Sequence, residues 1–325
     1  MNSQLHRIVV ARQAMATRFE MVLHGDDPVA LRAAAEEALE EVERIEARIS
    51  LFRPASEIAR VNARAHQEPV KVSPPVFRLL EHAQQLARET EGAFDITIAP
   101  LMRCWGLSRG SGRIPSAEEL AQARACVGMD LVCLDSDRST VRFKREGVML
   151  DLGAMGKGYA VEQAAGLLRE AGIASAFIHG GTSSIYAMGR PLDQEAWKVA
   201  LEVPATPSVA GADIGLSQEA TPVAVAALRD ESLSLSAVWG KSFAVDGKTY
   251  GHILDPRTGL PADQAIMAAV VLPSATETDP LSTALLVLAQ AGHARLTALR
   301  PGMKTFLARR QGPDILFEGH GIEPL

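Results

Sequence analysis

Cysteine is scarce in this chain: Cys104, Cys126 and Cys133 are its 3 cysteines in 325 residues, and none forms a C-x-x-C pair. An odd, widely spaced set excludes a disulfide framework. It suits a reducing compartment, where such residues act as small apolar side chains. No run of about 18 apolar residues occurs, so no membrane-spanning helix and no membrane span is expected. Positive charge is not in excess either, with 33 Lys plus Arg against 39 Asp plus Glu and a formal net charge of -6. That balance gives no general attraction to nucleic acid or anionic lipid, so neither partner is expected. A phosphate-bearing ligand would need local donors or a metal. Around Arg7 and Arg12 the N-terminal stretch has only a few apolar residues. It lacks a signal-peptide core and a lipoprotein start, and the expected location is cytoplasmic.

What is present is ordinary globular composition, 47% apolar and 22% charged, in a length that allows one large domain or two. Residues 17–24 alternate as a strand with one better-buried face. Asp27-Pro28 starts a helix with an apolar stripe at Leu31, Ala38, Val42, Ile45 and Ile49. A second helix begins at Ser73-Pro74-Pro75, and Ser116 with Glu119 forms a capping-box signature for a third. Short apolar runs at 131–134, 140–143 and 148–152 read as strands, and 157–171 as a helix stopped by Gly172. Strands follow at 174–178, 198–203 and 232–236, then a hairpin at 243–254 around Asp246-Gly247. A strand at 266–272, a helix at 280–290 and strands at 304–309 and 315–318 close the chain. Residues 205–221, rich in Ala, Gly, Ser and Pro, read as a surface loop. Without a regular βαβ period, the pattern favours an α+β fold with mainly antiparallel sheets.

Several segments carry residues suited to chemistry. Asp151-Leu152-Gly153-Ala154-Met155-Gly156-Lys157-Gly158 joins an apolar run to a helix. Its glycines and first-turn N–H groups either cradle an anion, with Lys157 adding charge, or simply make a tight turn. Asp279-Pro280 fits an N-cap and first helical residue, and Thr283, four residues on, puts a hydroxyl beside the carboxylate. Carboxylate, hydroxyl and backbone carbonyls together suit a hard cation such as Mg²⁺. His252-Ile253-Leu254-Asp255-Pro256-Arg257-Thr258-Gly259 packs imidazole, carboxylate and guanidinium into one turn. Ala93-Phe94-Asp95 followed by Cys104-Trp105-Gly106, and Gly180-Gly181-Thr182, are weaker signals.

Taken in order, these segments resemble the ApbE family of FAD:protein FMN transferases. The likeness runs from Met15-Ala16-Thr17 through Ser50-Leu51-Phe52-Arg53-Pro54, Ser56-Glu57 and Asn62 to Asp279-Thr283. It implies a single unit over residues 1–325. The implied fold is two entwined α/β halves, related to the tunnelling fold, with the active site between them. The implied activity is Mg²⁺-dependent transfer of the FMN half of FAD to a Thr or Ser hydroxyl of an acceptor flavoprotein, with release of AMP. The alternatives are an FAD pyrophosphatase giving FMN and AMP, and a flavin-binding protein without turnover.

The resemblance also implies site residues. Asp279, Thr283 and the Ala154 carbonyl would hold the metal, with Ser282 where some members place a second aspartate. Met15, Phe52, Ala93, Phe94, Asp95, Asp151, Lys157 and Ile253 would line the FAD site. His252 or Asp255 would serve as base, with His252 favoured because histidine exchanges protons near neutral pH. The chain departs from the family pattern at Ala16, Phe52, Thr182 and Ser236-Ala237, where glycine, tyrosine, aspartate or asparagine, and serine-glycine are usual.

Overall fold

One continuous antiparallel sheet of eight strands organises the computed structural model, which describes residues 5–109, 112–204, 220–239, 242–245, 248–312 and 314–325. In chain order the first strands are β1 (His6–Ala14), β2 (Thr17–Gly25), β3 (Val70–Lys71), β4 (Val132–Asp135), β5 (Thr140–Phe143), β6 (Ser175–Gly180) and β7 (Ser184–Met188). They continue as β8 (Trp197–Pro204), β9 (Ala220–Leu228), β10 (Glu231–Ala237), β11 (Ser242–Val245), β12 (Lys248–Gly251), β13 (Ala265–Leu272), β14 (Lys304–Gln311) and β15 (Asp314–His320). The α-helices are α1 (Pro28–Ile49), α2 (Glu57–Arg64), α3 (Pro74–Glu89), α4 (Ala99–Cys104), α5 (Ala117–Arg124), α6 (Gly156–Glu170) and α7 (Ala275–Thr297).

The main sheet runs β1-β2-β6-β7-β10-β13-β14-β15. Strand β2 pairs with β6, Phe19 opposite Gly180, so the N-terminal hairpin is stitched to a strand that follows a long excursion of the chain. Helices α1, α6 and α7 cover one face, burying Leu39, Val42, Val161, Leu168, Leu281 and Leu285 against Met21, Ile178 and Val270. The β8–β9 ribbon covers part of the other, where Leu201, Ala224 and Leu228 meet Leu233, Val271 and Phe306. A third, smaller cluster joins Leu101 and Trp105 to Phe243 and Leu254. The α+β class with mainly antiparallel sheets is therefore what the chain adopts.

Local signals explain many of these elements. Asp27 caps α1, its Oδ1 accepting from the N–H groups of Val29 at 2.9 Å and Ala30 at 3.1 Å. Ser116 and Glu119 form the capping box of α5. Met15 and Ala16 occupy a two-residue turn between paired Ala14 and Thr17, both with positive φ, 50° and 58°. Such hairpin turns favour Asn-Gly, and a Cβ in that region is strained.

Four expectations need correction or adjustment. Residues 148–152 form no strand: the Leu150 N–H donates to Asn62 Oδ1 at 2.7 Å and its carbonyl accepts from Asn62 Nδ2 at 2.9 Å. One side-chain amide thus takes the role of a neighbouring strand. Helix α7 starts at Ala275, with Ser274 as N-cap, so Asp279 is not the cap and Pro280 lies inside the helix. In the hairpin, Val245 pairs with Lys248, but pairing ends at Ser242 with Gly251, and Leu254 bridges to Pro261 instead. Residues 246–247 and 205–219 lie outside the described residues; of the expected 205–221 loop, Ala220 and Thr221 belong to β9.

Candidate active site

Two helix starts meet at the centre of the candidate site. Before α6, Asp151 Oδ1 accepts from the Gly153 N–H at 2.9 Å, and the Leu152 carbonyl accepts from Met155 N at 3.0 Å and Gly156 N at 2.7 Å. These bonds curl 151–156 into the turn that starts the helix. Gly158, in the first turn of α6, donates its N–H to Asp279 Oδ2 at 3.0 Å. A Cβ at Gly158 would lie 2.1 Å from the Ala275 carbonyl oxygen and 2.8 Å from Asp279 Cβ. Glycine is required here because α7's backbone lies directly against it.

Asp279 is buried, yet its carboxylate is not isolated. Lys157 Nζ stands 3.8 Å from Asp279 Oδ2 and donates to the Gly153 carbonyl at 3.3 Å. Burial of a carboxylate is tolerable when charge and N–H groups compensate it, as here. The Asp279 carbonyl accepts from Ser282 Oγ at 2.9 Å. Ser236 Oγ of β10 lies 2.8 Å from Ser282 Oγ and 3.1 Å from Thr283 Oγ1. Farther down the strand, Ser232 and Ser234 reach Thr278 Oγ1 at 3.0 and 2.9 Å. The alternation Ser232-Leu233-Ser234-Leu235-Ser236 puts three hydroxyls on the face that meets α7. Sequence reasoning missed this hydroxyl row, although its period-two pattern is visible. Lys157, Gly158 and Asp279 thus meet where α6 starts against α7, with Asp151 joined to them through Gly153, while Ser282 and Thr283 lie about two turns into α7 against Ser236.

The Ala93–Asp95 loop reaches the junction through its backbone sequel: the Asp151 N–H donates to the Ile96 carbonyl at 2.6 Å. Asp95 itself faces inward. Its Oδ1 accepts from Thr97 N at 2.8 Å and Thr97 Oγ1 at 2.6 Å, and its Oδ2 from Met129 N at 2.9 Å. Burial pushes its carboxyl above the ordinary value, against the pull of those bonds. Ala93 and Phe94 are buried too. Met15 and Ile253 are half-buried against the main core, as is Ala154. Phe52, 71% exposed, presents its ring to solvent in the loop after α1. Among the described residues, Met15 and Phe52 take no part in the hydrogen bonds of the junction.

The 252–259 turn is held from its flank. Trp105 Nε1 donates to the Gly259 carbonyl at 2.8 Å, and Arg124 Nη2 to the Arg257 carbonyl at 2.7 Å. Trp105 also packs against Phe243 and Tyr250, whose rings stack at 5.3 Å. Asp255 grips Arg257: Oδ1 accepts from Nε at 2.9 Å and Oδ2 from Nη2 at 2.8 Å. With both oxygens so engaged, Asp255 shapes the turn, while His252 is half-buried at its entrance. A cleft of about 360 Å³ lies between Asp255 and Arg257 on one side and Val287, Leu288 and Ala291 of α7 on the other. It begins one helical turn beyond Thr283.

No helix among the described residues is long and apolar enough to cross a membrane. The three cysteines are free.

Comparison with known proteins identifies the family of the chain. Residues 15–307 match the model of the ApbE family. The FAD:protein FMN transferase of Haemophilus influenzae is 29% identical over 293 residues, covering 87% of this chain and 81% of that protein. The one from Treponema pallidum is 28% identical over 308 residues, covering 90% and 82%. Among solved structures, the ApbE protein of Thermotoga maritima superposes with a TM-score of 0.83 at 26% identity, covering 96% of each chain. The flavinyl transferase ApbE of Pseudomonas stutzeri gives 0.81 at 28%, covering 97% of this chain and 95% of that one. Sequence match and whole-chain superposition agree, and the chain belongs to the ApbE family.

Proposed function

We propose that this protein transfers the FMN half of FAD to a Thr or Ser hydroxyl of an acceptor flavoprotein and releases AMP. The carrying observation is the junction of Lys157, Gly158 and Asp279, set in a chain whose relatives bear that activity in their names. In the reaction, the acceptor oxygen bonds to the phosphorus of the FMN half. The bond from that phosphorus to the bridging oxygen breaks, and AMP leaves with that oxygen. The hydroxyl proton passes to His252, the residue assigned as base because Asp255 is committed to Arg257.

A hard cation beside Asp279 is part of this proposal, supported by the chemistry of the donors that the family resemblance implies. One carboxylate, the hydroxyls of Ser282 and Thr283 and the carbonyl of Ala154 are the donor types that Mg²⁺ takes. An ammonium, Lys157 Nζ, already stands among such oxygens. Bound there, Mg²⁺ would neutralise pyrophosphate charge and assist departure of AMP. Lys157 adds a fixed positive charge beside the same oxygens. Phe52 offers a ring for the flavin, and Met15, Ala93, Phe94, Asp95, Asp151 and Ile253 complete the FAD surface, with Asp95 acting by holding its loop. We assign the cleft along α7 to the acceptor segment, since it opens next to Asp255 and continues the stripe from Thr283.

The test is incubation with FAD and Mg²⁺, with and without a candidate acceptor flavoprotein and with an EDTA control, reading AMP by chromatography and the acceptor by mass spectrometry. AMP matched by an FMN-sized mass gain is expected. AMP with free FMN would replace transfer by hydrolysis, and FAD binding without AMP in the presence of an authentic acceptor would leave only a flavin carrier.

A further inference from the structure

We propose that Glu162 is a positioning residue for Asp279, acting through a closed ring of hydrogen bonds that fixes the register of α6 against α7. The proposal rests on the assignment of Asp279 to the metal and pyrophosphate end of the site. Glu162 lies four residues after Gly158 on α6, and Thr276 lies three residues before Asp279 on α7. Both separations are about one helical turn. Glu162 Oε2 accepts from the Thr276 N–H at 2.7 Å and from Ser274 Oγ at 2.8 Å. In the opposite direction, Asp279 Oδ2 accepts from the Gly158 N–H at 3.0 Å.

Each helix therefore supplies the carboxylate that satisfies an open N–H in the other's first turn, where the helix dipole also favours negative charge. Two hydrogen bonds and two single helical turns close the ring. Sliding either helix along the other breaks both bonds. The contact of Gly158 with the Ala275 carbonyl gives the same register a steric stop. Helix α7 already has its own cap, because Ser274 Oγ accepts from Glu277 N at 3.3 Å. Glu162 thus adds something beyond ordinary capping: it ties the helix that carries Lys157 to the helix that carries Asp279. It touches neither group and acts only through the register.

Two variants separate reach from charge. Glu162→Asp keeps the charge but withdraws the carboxylate by one methylene; Glu162→Gln keeps the length and one acceptor oxygen. The full-length protein is melted at increasing MgCl₂ without FAD, and kcat and the KM for FAD are measured alongside. Outer-shell partners typically change metal affinity by about 10–100-fold. On that scale, E162D is expected to need about tenfold more Mg²⁺ for half-maximal stabilisation, with kcat lowered and the KM for FAD little changed. E162Q is expected to stay close to the unsubstituted protein. A lower melting temperature in E162D with an unchanged Mg²⁺ midpoint would overturn the proposal, as would equal losses in both variants.

Amide hydrogen exchange at Gly158, across the ring from the substitution, gives a readout independent of metal and of turnover. Local opening sets that rate, and it should rise about tenfold in E162D and hold in E162Q. Unchanged exchange would overturn the ring whatever the metal result. If the unsubstituted protein shows neither Mg²⁺-dependent melting nor AMP release, the functional reading fails while the exchange result still decides the ring.

Discussion

The α6–α7 junction and the 252–259 turn both carry candidate site residues, but different contacts hold them. At the junction, carboxylates meet backbone N–H groups inside the core, with Asp279 at 4% exposure and no room for a Cβ at Gly158. At the turn, one indole N–H, one guanidinium and a stack of rings brace a segment that stays partly open to solvent. The first mode fixes charges relative to each other with little freedom. The second sets a direction yet leaves a surface. Under the proposed function, the junction would hold the part of the reaction common to every acceptor, and the turn the part that faces each acceptor.

Substitutions can break that contrast in a graded way. Asp279→Asn keeps the side-chain shape but removes the charge that Lys157 faces; turnover should fall by up to about 10³-fold, on the scale of lost electrostatic stabilisation. Circular dichroism should remain that of the unsubstituted protein, and retained turnover would remove Asp279 from the site. His252→Ala should lower kcat by about 10²-fold, the lower range for a general base, with FAD affinity nearly unchanged in equilibrium titration. Equal losses in FAD binding would move His252 from proton transfer to substrate binding.

Trp105→Phe keeps a ring in the aromatic cluster and deletes only the donor to Gly259. The expected cost is about 1 kcal/mol in denaturant unfolding, with a rise in the apparent KM for the acceptor and none for FAD. A rise for FAD alone would contradict the separation of the two regions. Glu277, two residues before Asp279 and on another face of α7, tests through pH how that helix start is anchored away from the junction. Burial would raise its carboxyl, but hydrogen bonds from His82 and Arg300, with their charges, outweigh that and hold it at about 2. A folded value below the ordinary 4.5 means that its stabilisation is complete above about 4.5 and is lost as pH falls toward about 2. The stability difference between the native protein and Glu277→Gln, followed by urea unfolding, should therefore shrink across that window. A difference independent of pH would refute the pairing. The smallest effect is expected from Ala16→Gly, which relieves a positive φ and should raise the melting temperature by about 1–2 °C.

Much of this was legible where a signal was local. Asp27-Pro28 with its apolar stripe announced α1, and Ser116-x-x-Glu119 announced α5, because cap and capped N–H lie within one turn. The same logic misplaced the start of α7. Asp279-Pro280 is a good local cap, but Ser274 caps Glu277 earlier and Glu162 supports it from another helix, which no window of the chain contains. Residues 148–152 are a short apolar run that reads as a strand, yet their partner is the side chain of Asn62, far back in the sequence. At the site, residue types and order pointed to the Asp279 and Lys157 segments. Their convergence, the inward turn of Asp95 and the commitment of Asp255 to Arg257 follow from tertiary packing and rotamers, which the order of residues does not display.

The pairing of β2 with β6 has a consequence for how the protein is made. The β1–β2 hairpin emerges early, but the strand that covers its inner edge follows roughly 150 residues later. At a synthesis rate of about 5–20 residues per second, that edge waits roughly 8–30 s for its partner. During the interval β2 exposes unpaired N–H and C=O groups along that edge, while α1, made directly after the hairpin, can already cover part of the face that carries Phe19, Met21 and Leu23. The nascent chain therefore carries an open sheet edge long before α6 and α7 exist, and what shields the first hairpin bears on how well it folds.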